Sequence, residues 1–202
     1  MKHIILIGGA PTTGKSTLAA HLSKKLNLPW LSTDQLRQVM RTVADKKKYK
    51  KLFNPKGYNA ERFLTTFPTR TIVKMEIEQG EATWKGIKEL LDKDFTYEEG
   101  FILEGVNILP KLAASYKSKK HIKIIFLIND NKEHITKTVF TRGLWDDTKN
   151  YPDHVKHHEV AWVTAFNDYI KHEAKKYCFP TLNIHADHAQ KKLRHLFKLK
   201  QP

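Results

Sequence analysis

The chain has 202 residues, and its 36 Lys and Arg against 21 Asp and Glu give a formal net charge of +15. This excess favours anionic partners such as nucleotides and phosphorylated metabolites, although much of the lysine is expected to lie on a solvated surface. A hydrophobic content of 40 % suits one folded domain, and the single cysteine, Cys178, excludes an intrachain disulfide framework and is expected to be buried.

The N-terminal segment predicts a buried strand, a glycine-rich loop and a helix. The strand covers residues 3–8, and the helix runs from Lys15 to Leu26 with leucines spaced by four. Residues 9–16 between them follow the pattern G-x-x-x-x-G-K-[ST] of a phosphate-binding loop, called Walker A. Because the apolar run leads into this loop and is too short for a membrane span, we expect a cytoplasmic protein without a membrane partner.

This loop predicts a site for ATP and Mg²⁺. Its two glycines permit a sharp turn, so that N–H groups converge on anionic oxygens beside a helix N-terminus. Lys15 is expected to reach the β- and γ-phosphates, and the Ser16 hydroxyl to ligate Mg²⁺. A chance match to the motif is the alternative, which the flanking strand and helix disfavour. The predicted ATP-binding residues are Gly9, Pro11, Thr12, Thr13, Gly14, Lys15, Ser16 and Thr17.

A second strand is predicted to begin at Trp30 and to end at Asp34. Ser32 and Gln35 have the spacing of a capping box, so a helix should follow. We predict that the Asp34 carboxylate accepts the proton of an acceptor hydroxyl, or positions that hydroxyl for in-line attack on the γ-phosphate. The alternative is that Asp34 only stabilises the helix N-terminus.

Two arginines continue the helix face of Asp34. Arg37 lies one turn later, and Arg41 follows after four more residues. Their guanidinium groups are predicted to clamp a phosphate or carboxylate of the acceptor. The alternative is a basic helix face exposed to solvent.

Residues 45–60 are polar and basic and predict a mobile loop. The lysine-rich run at 46–51 is interpreted as solvent-facing, with attraction of an acidic metabolite or of a nucleic-acid backbone as alternatives. A helical pattern then extends from about 60 to 91, with a break near Pro68. We therefore place a helical acceptor-binding region at about 38–97.

Three later apolar runs predict further strands, at 101–103, 122–128 and 181–184. Glu104 directly follows the first of them, as in the Walker B arrangement. An acid at that position holds Mg²⁺ through water or activates a nucleophile. The alternative is an ordinary acidic residue at the end of a strand.

The last third of the chain predicts helices at about 132–141, 154–177 and 187–199. Residues 141–147 form a loop of mixed charge within a predicted lid region at about 131–153. Arg142 in this loop is expected to neutralise transition-state charge at the γ-phosphate, with simple surface placement as the alternative. His154, His157 and His158 share a helix face, for which a solvated surface is a better interpretation than a metal site.

The alternation of strands and helices predicts an α/β fold, in which a five-stranded parallel sheet is sandwiched by helices in one P-loop domain over residues 1–202. Ligands of such sheets bind at the carboxyl ends of the strands, so the phosphate loop, Asp34 and Glu104 should share one crevice. The predicted catalytic residues are Lys15, Asp34, Glu104 and Arg142, and the predicted metal ligands are Ser16 and Glu104.

Three segments together resemble the 2-phosphoglycerate kinases, and more broadly the small-molecule P-loop kinases that include zeta-toxin-like, shikimate and gluconate kinases. The segments are GGAPTTGKST at 8–17, STDQLRQVMR at 32–41 and ILEGVNILP at 102–110. The match in order and spacing covers most of the chain. The second and third segments are more specific to this family than the phosphate loop alone.

The resemblance implies ATP-dependent phosphorylation of a hydroxyl on a small acidic metabolite, with 2-phosphoglycerate as the best match. By this pattern, Lys15 and Ser16 hold the nucleotide, Asp34 addresses the acceptor hydroxyl, and Arg37 addresses its anionic group. Asn107 joins the acceptor-binding candidates, at a position where the family leads us to expect histidine. The alternatives are another acceptor (a nucleotide sugar, nucleoside, antibiotic or polynucleotide end) or a nucleic-acid-associated regulatory NTPase. The last is not favoured, because no nucleic-acid module is recognisable. The sequence sets no oligomeric state.

Overall fold

Three strands of this protein carry apolar runs, at 4–7, 101–103 and 124–128, that suit burial on both faces of a sheet. The computed structural model describes residues 3–55, 57–93, 97–146, 150–183, 185–186 and 189–197. Within them the strands are β1 (His3–Gly9), β2 (Trp30–Ser32), β3 (Gly100–Gly105), β4 (Ile122–Ile128) and β5 (Thr181–Asn183).

Helices connect the strands and cover the sheet. The α-helices in the described residues are α1 (Lys15–Leu26), α2 (Thr33–Val43), α3 (Ala60–Thr66), α4 (Thr69–Lys93), α5 (Pro110–Ala113), α6 (Lys132–Arg142), α7 (Asp153–Lys176) and α8 (Ala189–Phe197). Short 3₁₀-helices lie at Lys50–Phe53 and Ala114–Tyr116. Across the described ranges, no helix combines the length and the apolar character that crossing a membrane requires.

All the strand pairs are parallel, and their order across the sheet is β2-β3-β1-β4-β5. The predicted fold class, a five-stranded parallel sheet between helices, is confirmed. β1 lies at the centre, so the loop that follows it emerges between the ends of β3 and β4. Residue 184 of the predicted last strand, and residues 187, 188, 198 and 199 of the predicted terminal helix, lie outside the described residues.

Alternation along β1 divides the core into two layers. Ile4 and Leu6 belong to a layer that includes buried residues of α4 and α7. Ile5 and Ile7 belong to the opposite layer, which includes residues of α1 and α8. Successive side chains of a strand point to opposite faces, so a strand covered on both sides must be apolar at every position.

The segment predicted as a mobile loop at 45–60 is in part ordered. It contains the 3₁₀-helix Lys50–Phe53, in which Leu52 is buried. Arg41 of α2 donates hydrogen bonds to the carbonyls of Leu52 at 2.7 Å and of Asn54 at 2.8 Å. These bonds join residues more than ten positions apart, so the local polar composition gives no sign of them.

The predicted break near Pro68 is confirmed, since α3 ends at Thr66 and α4 begins at Thr69. The expectation that Cys178 is buried is wrong. Its thiol is exposed, because Cys178 lies in a turn after α7 with a left-handed φ of 53°. His154, His157 and His158 are exposed, as predicted.

Gly105 closes β3 against the start of α2. Its φ is +152°, and a Cβ at this position would lie 1.7 Å from Oγ1 of Thr33. We expect Gly105→Ala to lower the free energy of unfolding by roughly 3 kcal/mol, because overpacking and an unfavourable backbone angle act together. Urea denaturation of the full chain measures this loss.

Gly57→Ala is the matched control, because Gly57 also has a positive φ, of 79°, but a Cβ there meets nothing within 4 Å. We expect it to cost about 1 kcal/mol, which is the backbone contribution alone. Adding Thr33→Ala to Gly105→Ala removes Oγ1 and should restore part of the stability. Equal losses in the two glycine variants would contradict the steric explanation.

Candidate active site

A cavity of about 750 Å³ opens at the carboxyl ends of β1, β2 and β3. Strand register explains its position, because Glu104 of β3 lies opposite both Ile7 of β1 and Ser32 of β2. The predicted residues Lys15, Asp34 and Glu104 all line it. The other polar residues of its wall are Thr12, Ser16, Thr17, Arg37, Gln38, Arg41, Asn54, Glu76, Gln79, Arg142 and Glu159.

The phosphate loop turns sharply between β1 and α1. Thr12 and Gly14 adopt left-handed φ values of 67° and 79°. The Thr13 hydroxyl donates a hydrogen bond to the Ala10 carbonyl at 2.7 Å, which braces the turn. Gly14 caps α1 without a side-chain hydrogen bond. The first backbone N–H groups of α1 are therefore not capped by a side chain and suit an anion.

Lys15 is buried at the start of α1. Its Nζ donates to the Ala10 carbonyl at 2.7 Å, and the residue is only 8 % exposed. Burial lowers the pKa of Lys15 to about 8, and the carboxylates of Glu104 and Asp34 oppose this change. A phosphate bound in the loop would add negative charge beside the ammonium and stabilise its charged form.

Ser16 and Glu104 place a hydroxyl and a carboxyl group side by side. The Ser16 hydroxyl donates to Oε1 of Glu104 at 3.2 Å. Burial raises the pKa of Glu104, and Lys15 and the Ser16 bond oppose the rise. Oxygen ligands of this kind fit Mg²⁺, which keeps waters and substrate oxygens around one or two protein ligands. The described residues contain no group of three or more His, Cys, Asp or Glu suited to a metal. Ser16 and Glu104 as ligands of Mg²⁺ therefore stay a prediction.

Asp34 lies in the first turn of α2 rather than at the end of β2, which stops at Ser32. Ser32 is the N-cap, and its hydroxyl accepts a hydrogen bond from the Asp34 N–H at 3.2 Å. Oδ1 of Asp34 pairs with Nη2 of Arg37 at 3.2 Å. The Asp34 side chain is 53 % exposed and the Arg37 side chain 16 %, so the carboxylate is accessible while the guanidinium is largely enclosed.

Arg41 lines the cavity, but its donors are bound to the protein itself. Nε of Arg41 donates a hydrogen bond to the Leu52 carbonyl, and Nη2 donates one to the Asn54 carbonyl. Gln79 of α4 donates to the same Asn54 carbonyl and accepts a hydrogen bond from Nη1 of Arg37. Arg41 therefore holds the 52–54 segment, and Gln79 orients Arg37. The role of Arg41 as an acceptor clamp stays a prediction.

Arg142 is the last residue of α6 and not part of a loop. Its Nη2 pairs with Oε1 of Glu159 on α7 at 3.1 Å, and Glu159 also accepts a hydrogen bond from Nε1 of Trp162. Burial raises the pKa of Glu159, while these two donors oppose the rise. The pair fixes Arg142 at the cavity wall with 41 % of its side chain exposed. Residues 147–149 of the predicted lid lie outside the described residues.

Three predicted site residues do not line the cavity. Asn107 is fully buried, and neither its Oδ1 nor its Nδ2 has a hydrogen-bond partner among the described residues. The predicted contact between Asn107 and an acceptor is therefore not supported by this geometry. Gly9 is the last residue of β1, and the Thr13 hydroxyl braces the turn of the phosphate loop. A Cβ on Gly9 would lie 2.5 Å from the Leu127 carbonyl oxygen, so only glycine fits there.

The sequence interpretation missed several residues of the cavity wall. Glu76 and Gln79 come from α4, and Glu159 and Trp162 come from α7. The sequence does hold a sign of the two acidic residues, because Glu76 and Glu159 each lie on the buried stripe of a long helix. Glu76 is four residues after Ile72, and Glu159 is four residues after Val155. Polar side chains on such a stripe mark a face that packs around a cavity rather than a closed core.

The pKa of Lys15 leads to a prediction for phosphate binding. Lys15 loses its proton as the pH rises through about 8, so the attraction for nucleotide phosphates is full below that value and declines above it. We expect the Kd of a non-hydrolysable ATP analogue to rise about tenfold per pH unit above pH 8, as measured by calorimetric titration. Lys15→Ala is the control, and it should bind weakly with a flatter profile. An identical pH dependence in both proteins would mean that Lys15 does not contact the phosphates.

The chain is similar to curated 2-phosphoglycerate kinases from methanogens. The Methanocaldococcus jannaschii protein is 28 % identical over 183 residues, which cover 89 % of this chain and 57 % of that relative. The Methanococcus vannielii protein is 27 % identical over 187 residues, covering 89 % and 58 %. The chain thus spans just over half the length of these relatives. An adenylate kinase from Buchnera aphidicola is 35 % identical over 122 residues, covering 60 % of this chain and 46 % of that protein.

No protein-family model matches the chain. Among solved structures, shikimate kinase from Aquifex aeolicus is 17 % identical, with a TM-score of 0.49 and 96 % of each chain covered. The assignment of the fold rests on the strand order and the phosphate loop, not on this likeness. The resemblance expected from the sequence is confirmed: the chain is similar to curated 2-phosphoglycerate kinases, and it combines a five-stranded parallel sheet with a phosphate loop after the central strand.

Proposed function

We propose that the protein is an ATP-dependent kinase that transfers the γ-phosphate to a hydroxyl of a small acidic metabolite, with 2-phosphoglycerate as the first candidate. One observation carries the proposal: the phosphate loop, the Ser16–Glu104 pair and the Asp34–Arg37 pair line a single cavity. Phosphoryl transfer needs nucleotide phosphates and an acceptor hydroxyl in line, and this arrangement supplies groups for both.

The phosphate half of the site comprises the loop, Lys15 and the Ser16–Glu104 pair. The N–H groups at the start of α1 and the Lys15 ammonium bind the β- and γ-phosphates. Mg²⁺ held by Ser16 and Glu104 would neutralise charge on the phosphate oxygens. Arg142, fixed by Glu159, adds a cation at the cavity wall for the charge that develops during transfer.

The acceptor half begins at α2. The oxygen of the acceptor hydroxyl forms a bond to the γ-phosphorus while the Asp34 carboxylate takes the proton of that hydroxyl. The bond from the γ-phosphorus to the β,γ-bridging oxygen breaks, which releases ADP. Arg37 binds the acidic group of the acceptor. Its enclosure and its bond to Gln79 limit its side-chain motion, which suits a group that positions a ligand.

The identity of the acceptor is supported by the relatives and by the arginine at the site. The curated relatives are named 2-phosphoglycerate kinases. The segment at 32–41, which holds Asp34 and Arg37, is one of the three segments that carry the sequence resemblance. A phosphate or carboxylate matches the guanidinium of Arg37. We therefore place a phosphorylated hydroxy acid first among the acceptors.

A second candidate, an acceptor that carries a ring, is favoured by the aromatic residues of the same cavity. Phe53, Phe63, Trp145 and Trp162 all belong to its wall. Phe63 and Trp145 contact each other edge to face, with ring centroids 5.6 Å apart. Such a wall stacks well on a planar or alicyclic group, as in a nucleoside.

The proposed activity is tested by a phosphate-transfer screen. Purified full chain is incubated with ATP and Mg²⁺ and with each of a panel of acceptors: phosphorylated hydroxy acids including 2-phosphoglycerate, unphosphorylated hydroxy acids, nucleosides and RNA 5′ ends. We expect product with an acidic acceptor and none with Lys15→Ala, which should remain folded because Lys15 makes a single hydrogen bond. Transfer to a nucleoside would favour the ring-bearing acceptor, and equal turnover in Lys15→Ala would refute the kinase assignment.

Kinetics of two variants separate catalysis from binding in the acceptor half. Asp34 touches the reacting hydroxyl, so Asp34→Asn should lower kcat by roughly two orders of magnitude, as expected for loss of a general base. Arg37 contacts a charge that is present throughout the reaction, so Arg37→Ala should mainly raise KM for the acceptor. Steady-state rates are measured with each substrate varied in turn. If Asp34→Asn kept the full kcat, Asp34 would only stabilise the start of the helix and would not be the general base. If Arg37→Ala changed only the KM for ATP, the acceptor would have to bind away from Arg37.

A further inference from the structure

Glu76 is a carboxyl group of the cavity wall that the reaction described above does not use. It lies on α4, three residues before Gln79, and lines the cavity together with Arg37 and Asp34. The residue as a whole is half-buried, but its Oε1 has no solvent-exposed area and no hydrogen-bond partner among the described residues. A buried carboxyl oxygen without a partner is costly unless the group is neutral or a ligand completes it.

A second unpartnered group belongs to the same cavity. Nε of Arg37 is buried and has no hydrogen-bond partner in the described part of the chain, whereas the Nη atoms are bound by Asp34 and Gln79. Both residues line the cavity, and among the neighbouring charges the Arg37 guanidinium has the largest effect on the pKa of Glu76, which it lowers. The Nε–H of Arg37 and Oε1 of Glu76 thus both lack a partner, on residues that line the half of the cavity proposed for the acceptor.

The charges that face Glu76 come from three helices. Arg37 of α2 and Lys15 of α1 favour its ionised form, whereas Asp34 of α2 and Glu159 of α7 oppose it. Burial outweighs all of them and raises the pKa of Glu76 to about 7. The carboxyl group is therefore protonated in about half of the molecules at neutral pH when the cavity holds no ligand.

We propose that Glu76 is an acceptor-binding residue that acts in its protonated form: its O–H donates a hydrogen bond to an anionic oxygen of the acceptor beside the Arg37 Nε–H, and acceptor binding takes up one proton. This inference rests on the proposed acidic acceptor and identifies a second residue that selects it. Ionised Glu76 repels an anionic ligand, whereas neutral Glu76 offers a hydrogen-bond donor and causes no electrostatic repulsion. The affinity for the acceptor should therefore fall as the pH rises.

Calorimetry of wild type and Glu76→Gln tests the inference. The full chain is first loaded with a non-hydrolysable ATP analogue and Mg²⁺, and 2-phosphoglycerate is then titrated at several pH values in two buffers of different ionisation enthalpy. In the wild type we expect uptake of close to one proton at pH 8, and a Kd that rises about tenfold per pH unit above 7. Glutamine keeps an N–H donor but cannot ionise, so Glu76→Gln should lose both effects. The ionisation of 2-phosphoglycerate itself is common to both proteins and cancels in the comparison.

Glu81→Gln is the matched control, because Glu81 is exposed on the same helix, and it should behave as the wild type. Equal proton uptake in wild type and Glu76→Gln would overturn the inference. If 2-phosphoglycerate does not bind, the acceptor found by the transfer screen replaces it. Uptake that depends on Glu76 with another acid supports the inference although the proposed substrate fails, whereas a neutral acceptor overturns it and leaves the kinase activity standing.

Thermal unfolding gives a readout that needs no acceptor. The unfolded chain releases the Glu76 proton near pH 4.5, while the folded protein keeps it up to about 7. Between these values the folded state binds more protons, so the stability that Glu76 contributes is lost as the pH rises through 7. We expect the Tm of the wild type to fall relative to that of Glu76→Gln over this range. Parallel Tm profiles would show that Glu76 does not titrate there and would overturn the inference.

Discussion

The parallel pairing of β1 with β3 is the constraint on which the rest of the site depends. It sets Ile7 beside Glu104, so the phosphate loop and the acidic residue at the end of β3 leave the sheet at the same edge. The space for this meeting depends on residues without side chains. A Cβ on Gly8 would lie 2.4 Å from the Phe126 ring, and one on Gly105 would strike Thr33. Close packing at the sheet edge therefore fixes where Lys15, Ser16 and Glu104 converge.

The charge of the cavity differs from the charge of the chain. The protein carries a formal net charge of +15, yet the cavity wall has four cationic residues, Lys15, Arg37, Arg41 and Arg142, against four acidic ones, Asp34, Glu76, Glu104 and Glu159. All four cations already have partners in the protein: Arg37 pairs with Asp34, Arg142 pairs with Glu159, and Lys15 and Arg41 donate to backbone carbonyls. A buried charge needs a partner, and these partners hold the cations in place. The formal charges of the cavity wall therefore balance, in contrast to the excess of positive charge over the whole chain.

Local patterns in the sequence were enough to predict the phosphate loop and most of the strands. The phosphate loop was recognisable because its glycines and the Lys15-Ser16 pair lie within eight consecutive residues. The three inner strands were recognisable because strands buried on both faces are apolar at almost every position. The end of the second strand was misplaced by two residues. The capping-box spacing of Ser32 and Gln35 had nevertheless predicted a helix start at Ser32, and the bond from the Asp34 N–H to the Ser32 hydroxyl confirms Ser32 as the N-cap. Asn107 does not line the cavity, and its place in a motif did not tell whether its side chain would reach it.

The sequence by itself determined the fold class, the phosphate loop and the acid near the end of β3, because helix and strand periodicity and short motifs depend on residues within a few positions of one another. The tertiary structure alone decided how the side chains of the proposed acceptor half are arranged. Gln79 joins Arg37 to the Asn54 carbonyl, Arg41 is occupied by the 52–54 segment, and Glu159 fixes Arg142. Glu76 acquires its raised pKa from burial between helices that are far apart in the chain. Such properties depend on which helices pack together and how closely, and no local pattern encodes that distance.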